Sequence, residues 1–555
     1  MSRGRRRLRN RLLALAVVAL CARLVALGAR TAHWDEARVG LRTLRYLQSG
    51  VWSYDPLVHG PLLFHLNRVV FDLFGPSDVA ARLLPALAGG LLPLAAWLYR
   101  ERLDETETLA LAAVLAANPL LLYYSRFARN DLPLAAAMLV AVGLLVRAVD
   151  AGRSRYAVAA AVVAALGAGL KENAVLYLAC WLGSLVALWA LRTQRGGGAA
   201  ATADTSLVTS WGRRRSRWAA LLVAPAAWFG VVVVLYAPRD PAGLGLWSAV
   251  AAPGRLPALL RAATLEPAVR LVDVWVTGES SLFDPRTPFY AAHLLAVLGV
   301  GATATLALGA AGVVAECRAA ESRPLVLFAA AWAGFSLLGY PLAADLAAPW
   351  LAVHVVAPLS IPAAVGLARL VERHRATAAR RTGGVAVTPA ALVALVLVVH
   401  VVAVGGVTSY AAPDHRLNLL GQPAQPGPDA DAAGRAIDRA VCPGDRVLFY
   451  GDYFDPRYDW RRLPLSWDVA VAGGVEAHAP GGSLPADPPP VVVALSGRHR
   501  GLDERLSGYE RLPVELDPWV AREPDAPFTT ASVYVERSAA TGRCDPAQSS
   551  PASAA

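Results

Sequence analysis

The chain has 555 residues, 55% of them hydrophobic, and a formal net charge of +11. Its mean hydropathy of +0.42 is too high for an ordinary soluble protein and places most of the chain in a bilayer. From Ser409 onward 14 Arg oppose 20 Asp and Glu, a net of −6, so the remainder carries +17; those cations cluster in short loops between apolar runs, a pattern that excludes nucleic acid as a partner.

Apolar runs of bilayer length occur near 12–29, 79–99, 108–124, 132–149, 156–170, 173–191, 218–237, 289–315, 325–342, 350–370 and 385–408, eleven candidate spans. Met1 to Arg11 is Arg-rich and precedes the first run, which lacks a clear small-x-small cleavage site, so we read it as a retained signal anchor. With the N-terminus inside, the loops 1–11, 100–107, 150–155, 192–217, 316–324 and 371–384 are all internal and all basic. An odd number of spans then puts the C-terminal region outside the cell. The internal loop 192–217 carries Gly196-Gly197-Gly198 and reads as a linker, whereas 256–276, in an external loop, has the amphipathic spacing of an interfacial helix.

The expected fold is therefore an all-α polytopic membrane domain over 1–410, a proline-marked linker over 411–430 and a small external α/β domain over 431–555. In that last domain a helix is expected over 431–441 and strands over 446–450, 491–495 and 533–535. Cys442 and Cys544 bracket it and are placed for a disulfide in an oxidising compartment; Cys21, Cys180 and Cys317 lie in or beside apolar segments and read as packing residues.

The polar motifs of the membrane part all fall on the external side. His33-Trp34-Asp35-Glu36 follows the first span, and His59-Gly60-Pro61 lies later in the same loop. Arg126, Arg129 and Asp131 join spans three and four; Lys171-Glu172-Asn173 joins spans five and six; Trp350 and His354 open span ten. Ionisable groups at a membrane are costly and point to function. This set suits transfer from a lipid-linked phosphate, whose leaving-group charge grows as the sugar–oxygen bond breaks. Arg126, Arg129 and Lys171 are the candidate cations, Lys171 being the only lysine in the chain. Asp35 is the first candidate to act as base or metal ligand, Glu36 the second, and Asp131 either orients the acceptor or shares the base role.

These motifs resemble those of the GT-C membrane glycosyltransferases, the superfamily of protein O-mannosyltransferases and aminoarabinose transferases. The resemblance rests on Asp35-Glu36 in the first external loop, His59-Gly60-Pro61-Leu62 and the Arg129-Asn130-Asp131 turn, and covers about residues 1–410. His33 to Arg38, Lys171-Glu172-Asn173 and Ala348 to His354 are similar to an archaeal branch associated with flippase activity in N-glycosylation. The resemblance implies an external active site, a dolichyl- or polyprenyl-phosphate sugar donor, a glycan, protein or lipid acceptor and, in some members, a divalent metal such as Mg or Mn held at Asp35 and Glu36. It implies substrate-binding roles for His59, Arg126, Arg129, Lys171, Glu172, Trp350 and His354.

Plainer readings stand beside these. Asp35 and Glu36 also suit a solvated loop start, and His59 a turn before Pro61. Arg126 and Arg129 suit lipid headgroup anchors, Lys171 and Glu172 a structural ion pair, Trp350 an interfacial belt residue and His354 a satisfied core histidine. Arg23, inside the first span, either faces the pocket or pairs with a carboxylate. A second function of another class is a non-catalytic accessory for flipping lipid-linked sugars. A transporter would place charges near the bilayer midplane, whereas the clusters here lie on one face.

Overall fold

The computed structural model describes residues 3–56, 59–195, 214–275, 285–344, 346–379, 388–415, 417–422, 425–451, 462–479, 483–495, 501–515 and 530–539. Gly196 to Gly198 and Cys544 lie outside them. The chain divides into two compact units, residues 1–25, 46–67 and 82–411, and residues 26–45, 68–81 and 412–555.

Among its described residues the first unit is mainly helical, and each of the eleven apolar runs overlaps helix there. Among the described residues six helices are long and apolar enough to cross a bilayer, or seven if a bent pair counts as one. That pair, Thr287–Gly301 and Thr303–Cys317, occupies the run expected as a single span and is bent by 93°. Each half has 15 residues, about 22 Å of rise against a hydrocarbon core of ~30 Å. The second half packs its glycines against the helix Ala352–Ala379: a Cβ at Gly312 would sit 1.9 Å from the Pro362 carbonyl oxygen, and one at Gly366 2.0 Å from that of Leu308. Such close backbone approach is the packing that small residues permit in membranes.

Two other runs are modified by arginine. The helix Arg3–Leu24 stops short of the expected 29. The run 108–124 breaks into Glu105–Ala117 and Pro119–Tyr124. Pro119 has no N–H to give the Leu115 carbonyl. Buried Arg23 supplies the missing donors, at 3.4 Å to Leu115 O and 3.0 Å to Ala116 O. Arg23 therefore serves a helix break, in place of the pocket or carboxylate expected for it.

In the second unit a five-stranded sheet has the order β2-β1-β3-β5-β4, with β1 Arg446–Tyr450, β2 Val475–Ala479, β3 Val491–Leu495, β4 Tyr509–Glu515 and β5 Thr530–Glu536. β1 runs parallel to β2 and β3, while β5 is antiparallel to β3 and β4. Alternate residues go to opposite faces. Val447, Phe449, Val491, Val493, Val533 and Val535 pack with the helices Pro428–Ala440 and Leu463–Val471, and Leu448, Val492 and Tyr534 with Leu502 and Leu506. The strands missing from the sequence reading are the two edges. β2 carries Glu476 and His478, and β4 carries Pro513, both edge features that blur the apolar pattern. Cys442 is disulfide-bonded, and Cys21, Cys180 and Cys317 are free thiols.

Trp467 anchors this unit to its earlier segments. Its ring lies against Gly40, where a Cβ would meet it at 2.6 Å, and stacks on Phe71 at 5.9 Å. Its indole N–H donates to Asp78 Oδ1 at 2.7 Å.

Candidate active site

In the first unit the cluster forms around Asp131, the first residue of the helix Asp131–Ala151. The carboxylate is buried. Its Oδ1 accepts from Lys171 Nζ at 2.8 Å and lies 3.3 Å from His354 Nε2. Its Oδ2 accepts from Arg129 Nε at 3.3 Å. Since a carboxylate only accepts, His354 presents Nε2–H to it, and Nδ1 accepts from the Tyr177 hydroxyl at 2.7 Å. Tyr340 stacks on the imidazole at 4.5 Å. The Arg129 guanidinium lies 3.8 Å over the Trp350 ring, a cation–π contact. Asn130 Nδ2 donates to Leu170 O at 2.6 Å and so ties the Arg-Asn-Asp turn to the turn that presents Lys171. Asp131, Lys171 and Arg129 together carry a charge of +1 in a water-poor setting, where each charge counts for more than in bulk water.

Glu172 continues from this cluster. Its Oε1 accepts from the Tyr54 hydroxyl at 2.7 Å, and its Oε2 lies 3.6 Å from His59 Nδ1, beyond hydrogen-bond reach. Burial, followed by the Glu172 charge, raises the Tyr54 phenol far above its ordinary range, so it remains a donor. His59 has φ +71°, a left-handed conformation that side chains disfavour. The turn is held by Gly60 N–H to Leu170 O at 3.0 Å and Leu62 N–H to Gly169 O at 2.8 Å. Gly60 is required there, because a Cβ would fall 2.3 Å from Gly169 O.

Arg126 lies against the end of the first helix. Its guanidinium donates to Arg23 O at 3.0 Å and Val25 O at 2.6 Å, carbonyls at the end of the first helix, and lies 4.7 Å over the Tyr410 ring. This is a helix-end cap of the kind long cations make.

Asp35 and Glu36 belong to the second unit, at the start of the helix Trp34–Ser49. Glu36 is buried. Its Oε2 accepts from the His33 N–H at 2.9 Å and Arg30 at 2.6 Å, and Arg30 also donates to Gln425 at 3.0 Å. A carboxylate reaching back to its own N-cap backbone is a helix-start device. Asp35 is half-buried, and its N–H donates to His33 Nδ1 at 3.1 Å. Among the described residues no three His, Cys, Asp or Glu side chains gather as a metal site. Glu36 Oε2 is engaged by Arg30 and the His33 N–H.

Sequence reading missed Tyr54, Tyr177 and Tyr340. Tyr177 and Tyr340 sit within apolar runs, where an aromatic residue reads as packing; only their hydrogen bond and stacking on His354 separate them from the rest. Asp345 lies outside the described residues.

Residues 58–203 match the family model described as dolichyl-phosphate-mannose-protein mannosyltransferase. No curated protein matches the chain. Among solved structures, ArnT from Cupriavidus metallidurans in the apo state matches with TM-score 0.56 and 17% identity over 94% of this chain and 97% of that one. The same protein bound to undecaprenyl phosphate matches with TM-score 0.52 and 17% identity over the same shares. The Archaeoglobus fulgidus oligosaccharyltransferase in its apo form matches with TM-score 0.50 and 13% identity over 84% of this chain and 64% of that one. The chain therefore shares the fold of ArnT and, over residues 58–203, matches the dolichyl-phosphate-mannose-protein mannosyltransferase model.

Proposed function

We propose that the protein is an inverting membrane glycosyltransferase that moves a sugar from a polyprenyl (dolichyl) phosphate to a hydroxyl of a glycan, protein or lipid acceptor at the external membrane face. The observation that carries this reading is the buried cluster in which Lys171 and Arg129 share one carboxylate, Asp131. In the proposed reaction the acceptor oxygen attacks the anomeric carbon and the bond from that carbon to the phosphate oxygen breaks. The bonding electrons leave with the polyprenyl phosphate. Lys171 and Arg129 stabilise that growing negative charge, and Asp131 holds the two cations in place before the donor arrives. His354, fixed by Tyr177 and Tyr340, orients Asp131. Glu172, with Tyr54 and His59, is assigned to hydroxyls of the sugar or acceptor.

Asp35 is the carboxylate assigned to the acceptor proton; Glu36 is assigned to holding the helix that carries it. Arg126 is assigned to the helix end and not to the phosphate, and Trp350 to the face of Arg129. The basic loops support a cytoplasmic N-terminus and an extracellular C-terminal domain. The archaeal, flippase-associated placement rests on the three motifs that resemble that branch and on nothing else. The test is transfer of labelled sugar from a polyprenyl-phosphate donor by the purified chain. Transfer by wild type and its loss in Asp35→Asn, with donor binding retained, is the expected result. Donor binding without transfer to any acceptor or to water would overturn the enzyme reading in favour of an accessory role.

A further inference from the structure

At the end of the first unit that carries the Arg-rich loops, a crevice of about 710 Å³ opens between three helices, Arg3–Leu24, Glu105–Ala117 and Ala352–Ala379. Its polar lining residues are Arg11, Glu105, Thr106 and Arg375, and its apolar ones include Ala14, Leu109, Ala113 and Leu367. Polar and apolar groups are segregated along its length. From Arg375 to Leu367 is eight helical residues, about 12 Å of depth. Arg11 lies 3.1 Å from Glu105, which offsets one charge and leaves these rim groups at a net +1. Ala14, Ala110, Ala113 and Ala368 form part of the apolar wall, beside leucine and valine side chains.

We infer that this crevice binds an anionic glycerophospholipid, with the headgroup phosphate on Arg11, Arg375 and the Thr106 hydroxyl and an acyl chain along the alanine-lined wall. The charge complementarity is specific to the location. Basic pockets between membrane helices on the cytoplasmic side are where anionic headgroups concentrate, and the Arg-rich loops assign this end to that side. The inference does not depend on the transfer reaction, which is assigned to the opposite face.

The experiment is a thermal-shift titration of the purified full chain in neutral detergent with phosphatidylglycerol, phosphatidylcholine and glycerol phosphate. Phosphatidylglycerol is expected to raise the unfolding midpoint, and the other two to leave it unchanged. Arg11→Ala/Arg375→Ala is expected to weaken apparent affinity roughly 25-fold, at about fivefold per guanidinium. Ala113→Phe, which fills the wall without changing charge, should also abolish the shift. Arg7→Ala/Arg9→Ala removes the same charge from exposed positions outside the crevice and should stay within about twofold of wild type. Equal response to phosphatidylcholine, an equal loss in the Arg7/Arg9 variant, or an undiminished shift in Ala113→Phe would each overturn the inference. A response to glycerol phosphate alone would reduce it to an adventitious anion site and overturn it as well.

Discussion

Trp467 offers the sharpest test of how the acidic motif is held. Its ring is 2% exposed and rests on Gly40 in the helix that begins at Trp34, with Phe71 stacked beside it and Asp78 on its N–H. Trp467→Ala removes a large buried ring and should destabilise this unit by about 3–5 kcal/mol. That amounts to roughly a hundred- to a few-thousandfold in the opening equilibrium of the segments it ties together. Trp467→Phe keeps most of the ring and forfeits the bond to Asp78, at a cost of about 1–3 kcal/mol. Hydrogen exchange of the full chain in detergent reads the result residue by residue. Amides of 37–45 and 68–81 should lose protection in the order Trp467→Ala, then Trp467→Phe, then wild type. If Trp467→Ala loosened only the C-terminal sheet and left 37–45 as protected as in wild type, the claim that this side chain positions the Asp35 helix would be wrong.

Further outcomes follow from the same geometry. Gly60→Ala places a Cβ 2.3 Å from the Gly169 carbonyl oxygen, so it should lower the melting midpoint and abolish transfer; a fully active Gly60→Ala would contradict the packing of that turn. Burial raises the Asp414 carboxyl above its ordinary value of 3.8. The folded state therefore binds this proton more tightly than the unfolded chain, and the associated stability is present at low pH and lost as pH rises through the folded value. Asp414→Asn should raise the melting midpoint at neutral pH and flatten the acid side of the profile; an Asn variant less stable at neutral pH would refute this. Arg23→Leu strands the Leu115 and Ala116 carbonyls in an apolar setting and should cost about 1–3 kcal/mol per lost partner, measured as a drop in melting midpoint.

Membrane helices were legible because bilayer thickness imposes long apolar runs, and each run overlaps helix among the described residues. The bend at Ala302 was not, since Gly301 and Ala302 are as apolar as their neighbours; the helix after it packs through Leu308 and Gly312 on Pro362 and Gly366, more than forty residues away. Residue types at the candidate site were legible from their placement beside spans, but their partners were not. Nothing local distinguishes Arg126, which caps carbonyls about a hundred residues earlier, from Arg129, which pairs with Asp131. In the same way Asp35 and Glu36 are adjacent in sequence, yet Glu36 is fixed by Arg30 and the His33 N–H while Asp35 is half-buried. Helical geometry turns neighbours to different directions, and only the fold decides how deeply each is buried.

The central claim is that Lys171 serves the leaving phosphate and is more than the structural partner of Asp131. Removing Lys171 alone confounds the two, because breaking a buried pair costs about 3–5 kcal/mol by itself. The decisive measurement is sugar transfer by Asp131→Asn/Lys171→Gln, which removes one charge of each sign and leaves Arg129 over the Trp350 ring, compared with Lys171→Gln alone and with each variant's melting midpoint. The account expects the double variant to regain much of the lost stability while transfer stays at least a hundredfold below wild type, about 2.7 kcal/mol or more of lost transition-state stabilisation. Recovery of transfer along with stability would mean that the pair only holds the helices together, and would contradict the account.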